Sequence, residues 1–315
     1  MNVYRVYGVS LSSEIPLPEL KSADMGDPEY VFHIAAARTQ RREPDHWLYR
    51  WRHPDGRAFL SCARLGRDYL LRFPGRADFV LRRELRDIEC LPAPSGSDDL
   101  VRQLFLDHVL PRVLAARGKL VVHASAVTLA GEAVMFLGPS GSGKSTLAAS
   151  FCYADRSSLV TDDCLLIDIQ NGSAHAFPSY AHLRLWPEAR EAVCGRAVVS
   201  GGSEDRLCKE RLEGDIPVPF QHQPVSLRRA YVLGSPQTSE RSGIGVETLS
   251  VQQAVVELLR HTFRLDITNR TRLRDEFSEV GRLARSIEIR RVHFTRDFAA
   301  LPQLRQAILA DLGAS

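Results

Sequence analysis

The residues whose types and spacing could do chemistry lie between Val121 and Asp163, centred on Gly138-Pro-Ser-Gly-Ser-Gly-Lys-Ser-Thr146. Gly138 to Ser145 satisfies the G-x-x-x-x-G-K-[ST] phosphate-loop pattern. Glycines there let backbone N–H groups converge on phosphate oxygens, and the N-terminus of a following helix adds its positive end. Lys144 is a point cation suited to β- and γ-phosphates, and Ser145 can place its hydroxyl on a magnesium ion. Thr146 is expected to pack in the helix or stand just behind the metal. The candidate nucleotide-binding set is therefore Gly138, Ser140, Gly141, Ser142, Gly143, Lys144, Ser145 and Thr146.

Downstream lies Ser158-Leu-Val-Thr-Asp-Asp-Cys-Leu-Leu-Ile-Asp168. A short apolar strand running into two carboxylates puts charge at a strand end, on the side of the sheet where a phosphate loop sits. Asp162 and Asp163 can divide two jobs there, one holding or orienting magnesium and the other accepting a proton from an attacking hydroxyl. Which takes which job stays open. Asp168 either ends an alternative acidic strand or opens a hairpin turn at Ile169-Gln-Asn-Gly172.

These residues need elements to hold them. Ala133–Leu137 reads as the buried strand feeding the loop, and Thr146–Phe151 as the start of a helix. Leu120–Leu129 reads as a strand-rich stretch, turned back at Ala130-Gly131, with His123 inside it. An isolated histidine in such a strand is by itself usually a core residue. Further on, Val225–Leu233 and Ile287–Phe294 read as strands, and Ser250–Phe263, Arg270–Ala284 and Ala299–Leu309 as helices. Lys209 and Arg211 follow a loop-like stretch, 198–206, and are candidates to reach phosphates. Residues 235–243 form a polar loop.

Ahead of the site the pattern is strand-like, over Tyr30–Ala35, Trp47–Trp51, Ala58–Cys62, Tyr69–Phe73, Asp78–Arg83 and Asp87–Cys90. Turn-forming His53-Pro-Asp-Gly56 and Phe73-Pro-Gly75 separate some of them. This predicts a small antiparallel β domain over 1–96. A helix capped by Ser97 or Asp98 should bridge it, over 97–118, to a nucleotide domain over 119–315. Pro111 is expected to kink or split that helix.

The 315 residues can hold one large or two ordinary domains. A formal charge of +3 offers no nucleic-acid footprint, and no aromatic–basic interleaving of a reader type occurs. Six cysteines without C-x-x-C spacing point to reduced thiols in the cytoplasm, not to a zinc module. No signal-peptide core and no membrane-spanning run is visible.

Taken together, His123-Ala-Ser-Ala-Val127, the loop Gly138–Thr146 and Leu159-Val-Thr-Asp-Asp163 resemble the catalytic core of HPr serine kinase/phosphorylase. That family shares its phosphate-loop architecture with phosphoenolpyruvate carboxykinases. The resemblance covers about residues 120–168. It implies an α/β fold with a P-loop kinase core of that type, beside the smaller N-terminal antiparallel β domain. It implies ATP and Mg2+ as cofactors and self-association into an oligomer. It places Asp162 and Asp163 in the metal-binding and general-base region, with Ser145 and Asp162 on the metal. His123, with Lys144, becomes a catalytic candidate that would offset charge on the transferring oxygens. The later glycine-rich signature by which such kinases touch HPr is not found, so the acceptor is open. Tyr7-Gly-Val-Ser-Leu-Ser-Ser-Glu-Ile-Pro-Leu-Pro-Glu19 resembles the opening of HPr-kinase-like proteins found beside peptide-modification genes. Relatives in lasso-peptide pathways phosphorylate a serine of the precursor peptide. A serine kinase acting on a peptide, a protein or a small hydroxylated molecule is the implied activity. The competing readings are a catalytically idle nucleotide-binding regulator, an ATPase, and carboxykinase-type chemistry. The intact Lys144, Ser145, Asp162 and Asp163 set speaks against the idle module.

Overall fold

A computed structural model describes residues 1–24, 26–36, 41–53, 55–94, 96–195, 210–211, 218–234 and 243–313. The chain forms two compact units, Met1–Val121 with Phe263–Phe277, and Val122–Thr262 with Ser278–Ser315. The helix expected as a bridge over 97–118 thus lies inside the first unit, which also takes up a segment from much later in the chain.

The first unit is built on nine strands: β1 (Asn2–Val6), β2 (Val9–Ser13), β3 (Lys21–Ser22), β4 (Tyr30–Ile34), β5 (Tyr49–Arg52), β6 (Ala58–Leu65), β7 (Asp68–Phe73), β8 (Ala77–Arg82) and β9 (Asp87–Pro92). Their order is β3-β1-β2-β4-β9-β8-β7-β6-β5. All six strands read between Tyr30 and Cys90 are present. The sheet is mixed, however, and not antiparallel throughout. The run β5 to β9 is an antiparallel meander, while β4 lies parallel to both β2 and β9. The chain leaves β2 through Ile15-Pro-Leu-Pro18, which cannot make a tight hairpin, so β4 arrives by a crossover and lands parallel.

Ser97 caps α1 (Asp98–Leu104), accepting from the Leu100 N–H at 3.2 Å. A five-residue π-helical turn, Phe105–Val109, then leads straight into α2 (Leu110–Ala116). Pro111 therefore neither splits the helix nor ends it. The wider turn, in which the Leu110 N–H reaches the Phe105 carbonyl, takes up the mismatch beside the proline ring. It also sets Phe105 flat against Phe32, with ring centroids 4.0 Å apart and planes at 4°. The returning segment is tied in by polar contacts. Tyr69 Oη donates to Asp266 at 2.9 Å, Cys62 Sγ donates to the Leu265 carbonyl at 3.3 Å, and Arg272 Nε donates to the Ala115 carbonyl at 2.7 Å.

The strand-rich stretch from Leu120 breaks in two, β10 (Leu120–Val122), across the division after Val121, and β11 (Ser125–Leu129) in the second unit, so His123 stands between strands. There follow β12 (Glu132–Leu137), α3 (Lys144–Ala154), β13 (Leu159–Thr161), the hairpin β14 (Leu165–Gln170) and β15 (Ser173–Phe177), β16 (Arg184–Leu185), α4 (Pro187–Cys194), β17 (Glu210–Arg211) and β18 (Val225–Leu233). The unit closes with β19 (Gly245–Thr248), α5 (Val251–His261), α6 (Arg270–Ser286, entering from the first unit), β20 (Glu288–His293) and α7 (Leu301–Gly313). The strands run β13-β11-β12-β18-β20-β19, with β12, β18 and β20 parallel to one another. One core holds Phe136, Tyr231, Leu147, Phe151, Leu304 and Ile308 together, so that α3 and α7 pack on the sheet. Almost every residue of α3 up to Cys152 is apolar or small and buried, as a helix enclosed on all sides requires. No helix among the described residues is long and apolar enough to cross a membrane.

Candidate active site

Sheet register brings the sequence candidates to one place. β12 runs out at Leu137 into Gly138, and β13 runs out at Thr161 into Asp162. β11 is antiparallel to both and begins there, with Ser125 opposite Phe136 and Ala126 opposite Thr161. The loop, the acidic pair and the His123-to-Ser125 corner therefore meet beyond the carboxyl ends of parallel strands, where open α/β sheets bind ligands.

The loop has the backbone its glycines allow. Gly138, Gly141 and Gly143 have φ of 151°, 76° and 95°, and Gly143 caps α3 in the left-handed conformation. A Cβ on Gly138 would stand 2.6 Å from Ser142 Oγ and 3.1 Å from the Leu233 carbonyl, so only glycine fits. Lys144 is buried and curls back, donating from Nζ to the Gly138 carbonyl at 2.9 Å and the Pro139 carbonyl at 3.2 Å. Ser142 Oγ is buried with no hydrogen-bond partner among the described residues. An orphaned hydroxyl in a glycine cradle, with a lysine folded over it, is a donor set that fits phosphate oxygens.

Asp162 and Asp163 differ in surroundings although they adjoin. The Asp162 carboxylate is buried, accepting from Ser125 Oγ at 2.5 Å and from the Arg184 N–H at 3.5 Å. The Asp163 carboxylate is half-exposed and has no hydrogen bond or ion pair among the described residues. Asp163 has φ of 69°, and the Cys164 N–H donates across it to the Asp162 carbonyl at 3.0 Å. This is a γ-turn of the positive-φ kind, which is rare and strained. Two clamps hold it. Thr161 Oγ1 donates to the Cys164 carbonyl at 2.5 Å, and His123 Nδ1 lies 2.7 Å from the Asp163 carbonyl.

A carbonyl can only accept, so His123 carries its proton on Nδ1. Burial and then the Lys144 cation push its pKa down to about 3, and the same two causes take His261 to about 4. His123 is neutral near pH 7. The contact the structure shows for its ring is with the backbone of Asp163.

Ser125 and His261 were not singled out from sequence. Ser125 had a signal, a polar residue two places from His123 inside an apolar run. His261 had none: its carbonyl accepts the His123 N–H at 2.7 Å only because α5 ends there. Asp168 takes the hairpin alternative, facing His175 across β14–β15 and accepting from Gln170 at 2.6 Å. The turn beyond it uses Asn171 and Gly172, both at positive φ. Lys209 lies outside the described residues, as do the loops expected over 198–206 and most of 235–243. Arg211 is described only in its backbone, paired with Arg184.

No protein-family model matches the chain, and no curated protein matches it. Among solved structures it is similar to the Hpr(Ser) kinase/phosphatase from Coxiella burnetii, at 13% identity, over 61% of this chain and 98% of that one, with a TM-score of 0.32.

Proposed function

We propose that this chain is an ATP-dependent kinase with an HPr-kinase-like P-loop core, moving a γ-phosphoryl group onto a hydroxyl of a peptide, protein or small molecule. The observation that carries this reading is the contrast between the two aspartates beside an intact phosphate loop. An acceptor's proton needs a carboxylate that is open, rigidly held and not already hydrogen-bonded. Asp163 has those properties. Asp162, held by Ser125, suits a fixed role on a cation.

ATP–Mg, when bound, supplies the transferable phosphoryl group and the cation that neutralises its charge. Gly138 to Gly143 would hold the phosphates through backbone N–H groups and Ser142 Oγ, and Lys144 would leave its two carbonyls for phosphate oxygens. Among the described residues no three His, Cys, Asp or Glu side chains group to hold a metal. That fits magnesium, which takes one or two protein ligands plus phosphates and water; Ser145 and Asp162 are the residues that would hold it. Asp163 would then take the hydroxyl proton, with His123 keeping its backbone in place. The five described cysteines are free thiols, four of them buried, in keeping with a cytoplasmic enzyme.

The test is the fate of labelled γ-phosphate, with magnesium and a panel of serine peptides, HPr and metabolite extract. Label on an acceptor, lost in Asp163→Asn, is the expected result. Binding of nucleotide without transfer to anything in the panel would turn the reading toward the idle regulator, and free phosphate alone toward an ATPase.

A further inference from the structure

The second unit holds a cavity of about 480 Å³, a size typical of small-ligand sites. One wall is the phosphate loop and the first turn of α3, from Gly141 to Gly143 and then Ser145 and Thr146. The facing walls are Trp186 and Ala189 from the start of α4, with Phe294, Phe298 and Leu301 from the chain beyond β20. His123, Lys144, Asp162 and Asp163 do not line it. Asp163, which would take the acceptor's proton, is thus not part of its lining, although Arg184, whose N–H reaches the Asp162 carboxylate, is.

Its walls carry exposed apolar surface that folding alone does not explain. Trp186 is 39% and Phe298 45% exposed, and both line the cavity. Flat rings left open beside a phosphate cradle are suited to a flat partner attached to phosphates. Arg296 adds a cation at the junction, since a Cβ on Gly141 would come within 3.9 Å of its guanidinium. Thr146, farther into α3 than Lys144, turns toward the same space.

We propose that this cavity receives the nucleobase and ribose of the nucleotide, with Trp186 and Phe298 as the aromatic surfaces for the base and Arg296 beside the departing phosphates. The proposal rests on the loop binding phosphates as proposed above, and it goes further by assigning the nucleoside half.

The test compares ATP with inorganic tripolyphosphate, both with magnesium, by titration calorimetry on the full chain. Wild-type protein should prefer ATP, and Phe298→Ala and Trp186→Ala should each weaken ATP by about tenfold, the scale of one lost base stack. Tripolyphosphate affinity should not move, and Phe298→Tyr should retain ATP. As a second reading, ATP but not tripolyphosphate should shield Trp186 from acrylamide quenching in a Trp47→Phe, Trp51→Phe background. Equal affinity of the wild type for the two ligands, or an equal loss of both in the variants, would overturn the nucleoside assignment while leaving the phosphate loop intact. So would variants that change only the KM for an acceptor. Failure of the wild type to bind either ligand would overturn the phosphate loop, and this assignment with it.

Discussion

A non-glycine residue at the centre of a positive-φ γ-turn costs on the order of 1–3 kcal/mol, and such strain persists where the surroundings impose it. At Asp163 the surroundings are Thr161 and His123. Asp163→Gly should therefore leave the protein as stable or up to about 1 kcal/mol more stable, while transfer falls by roughly 10²–10⁴-fold, the usual size of a lost general base. Urea unfolding and labelled-ATP assays on one preparation check both. The histidines give a second prediction. His123 and His261 titrate near 3 and 4 when folded, against about 6.5 when unfolded. Between these values the unfolded chain binds protons that the folded chain does not, so stability declines as pH falls below about 6.5. Each histidine contributes at most about 1.4 kcal/mol per pH unit. Unfolding measured from pH 7 to 5 should show a shallower decline in His123→Gln. The acid pair itself was legible in sequence because a strand end and two carboxylates are local facts. The difference in their surroundings was not, since it depends on Ser125 arriving from another strand.

At the scale of elements, the strand–loop–helix unit is the part most fully written in local chemistry. Glycine is demanded at 138 by a neighbouring hydroxyl and a β18 carbonyl, and the sequence meets the demand. Gly138→Ala should push Ser142 aside and abolish tripolyphosphate and ATP binding, whereas Ser142→Ala, which opens space and removes one hydroxyl, should only weaken them. Calorimetric titration separates these outcomes. Other elements escaped a local reading. Pro111 announced a missing N–H, but a π-turn in place of a break depends on Phe105 finding Phe32, which is 73 residues earlier. The direction of β4 was equally hidden, because alternation reports which face is buried and not which neighbour a strand will choose. His123 continued an apolar run in sequence, yet stands outside both strands because its N–H is taken by His261 and its ring by Asp163.

At the scale of the whole molecule, the two units were visible as a shift from strand-rich to mixed patterning, but their interlaced borders were not. Nothing in 263–277 advertises membership of a unit begun far earlier. A fragment ending at Val121 should consequently be less stable than the same fragment fused to 263–277, because it lacks the partners of Tyr69, Cys62 and the Ala115 carbonyl. Loss of two or three such buried bonds is worth about 1–3 kcal/mol each, enough to show as lost dispersion in amide spectra of the shorter piece. The interlacing also sets a timetable on the ribosome. At roughly 5–20 residues per second, synthesis of the intervening stretch from 122 to 262 takes on the order of ten to thirty seconds. Through that interval the nascent first unit waits with its last segment unmade. The second unit, lacking β20 and α7, is no further along. A chain stopped anywhere before Phe263 thus holds neither unit in finished form, and no early release sets free a complete second unit to compete with the intact protein.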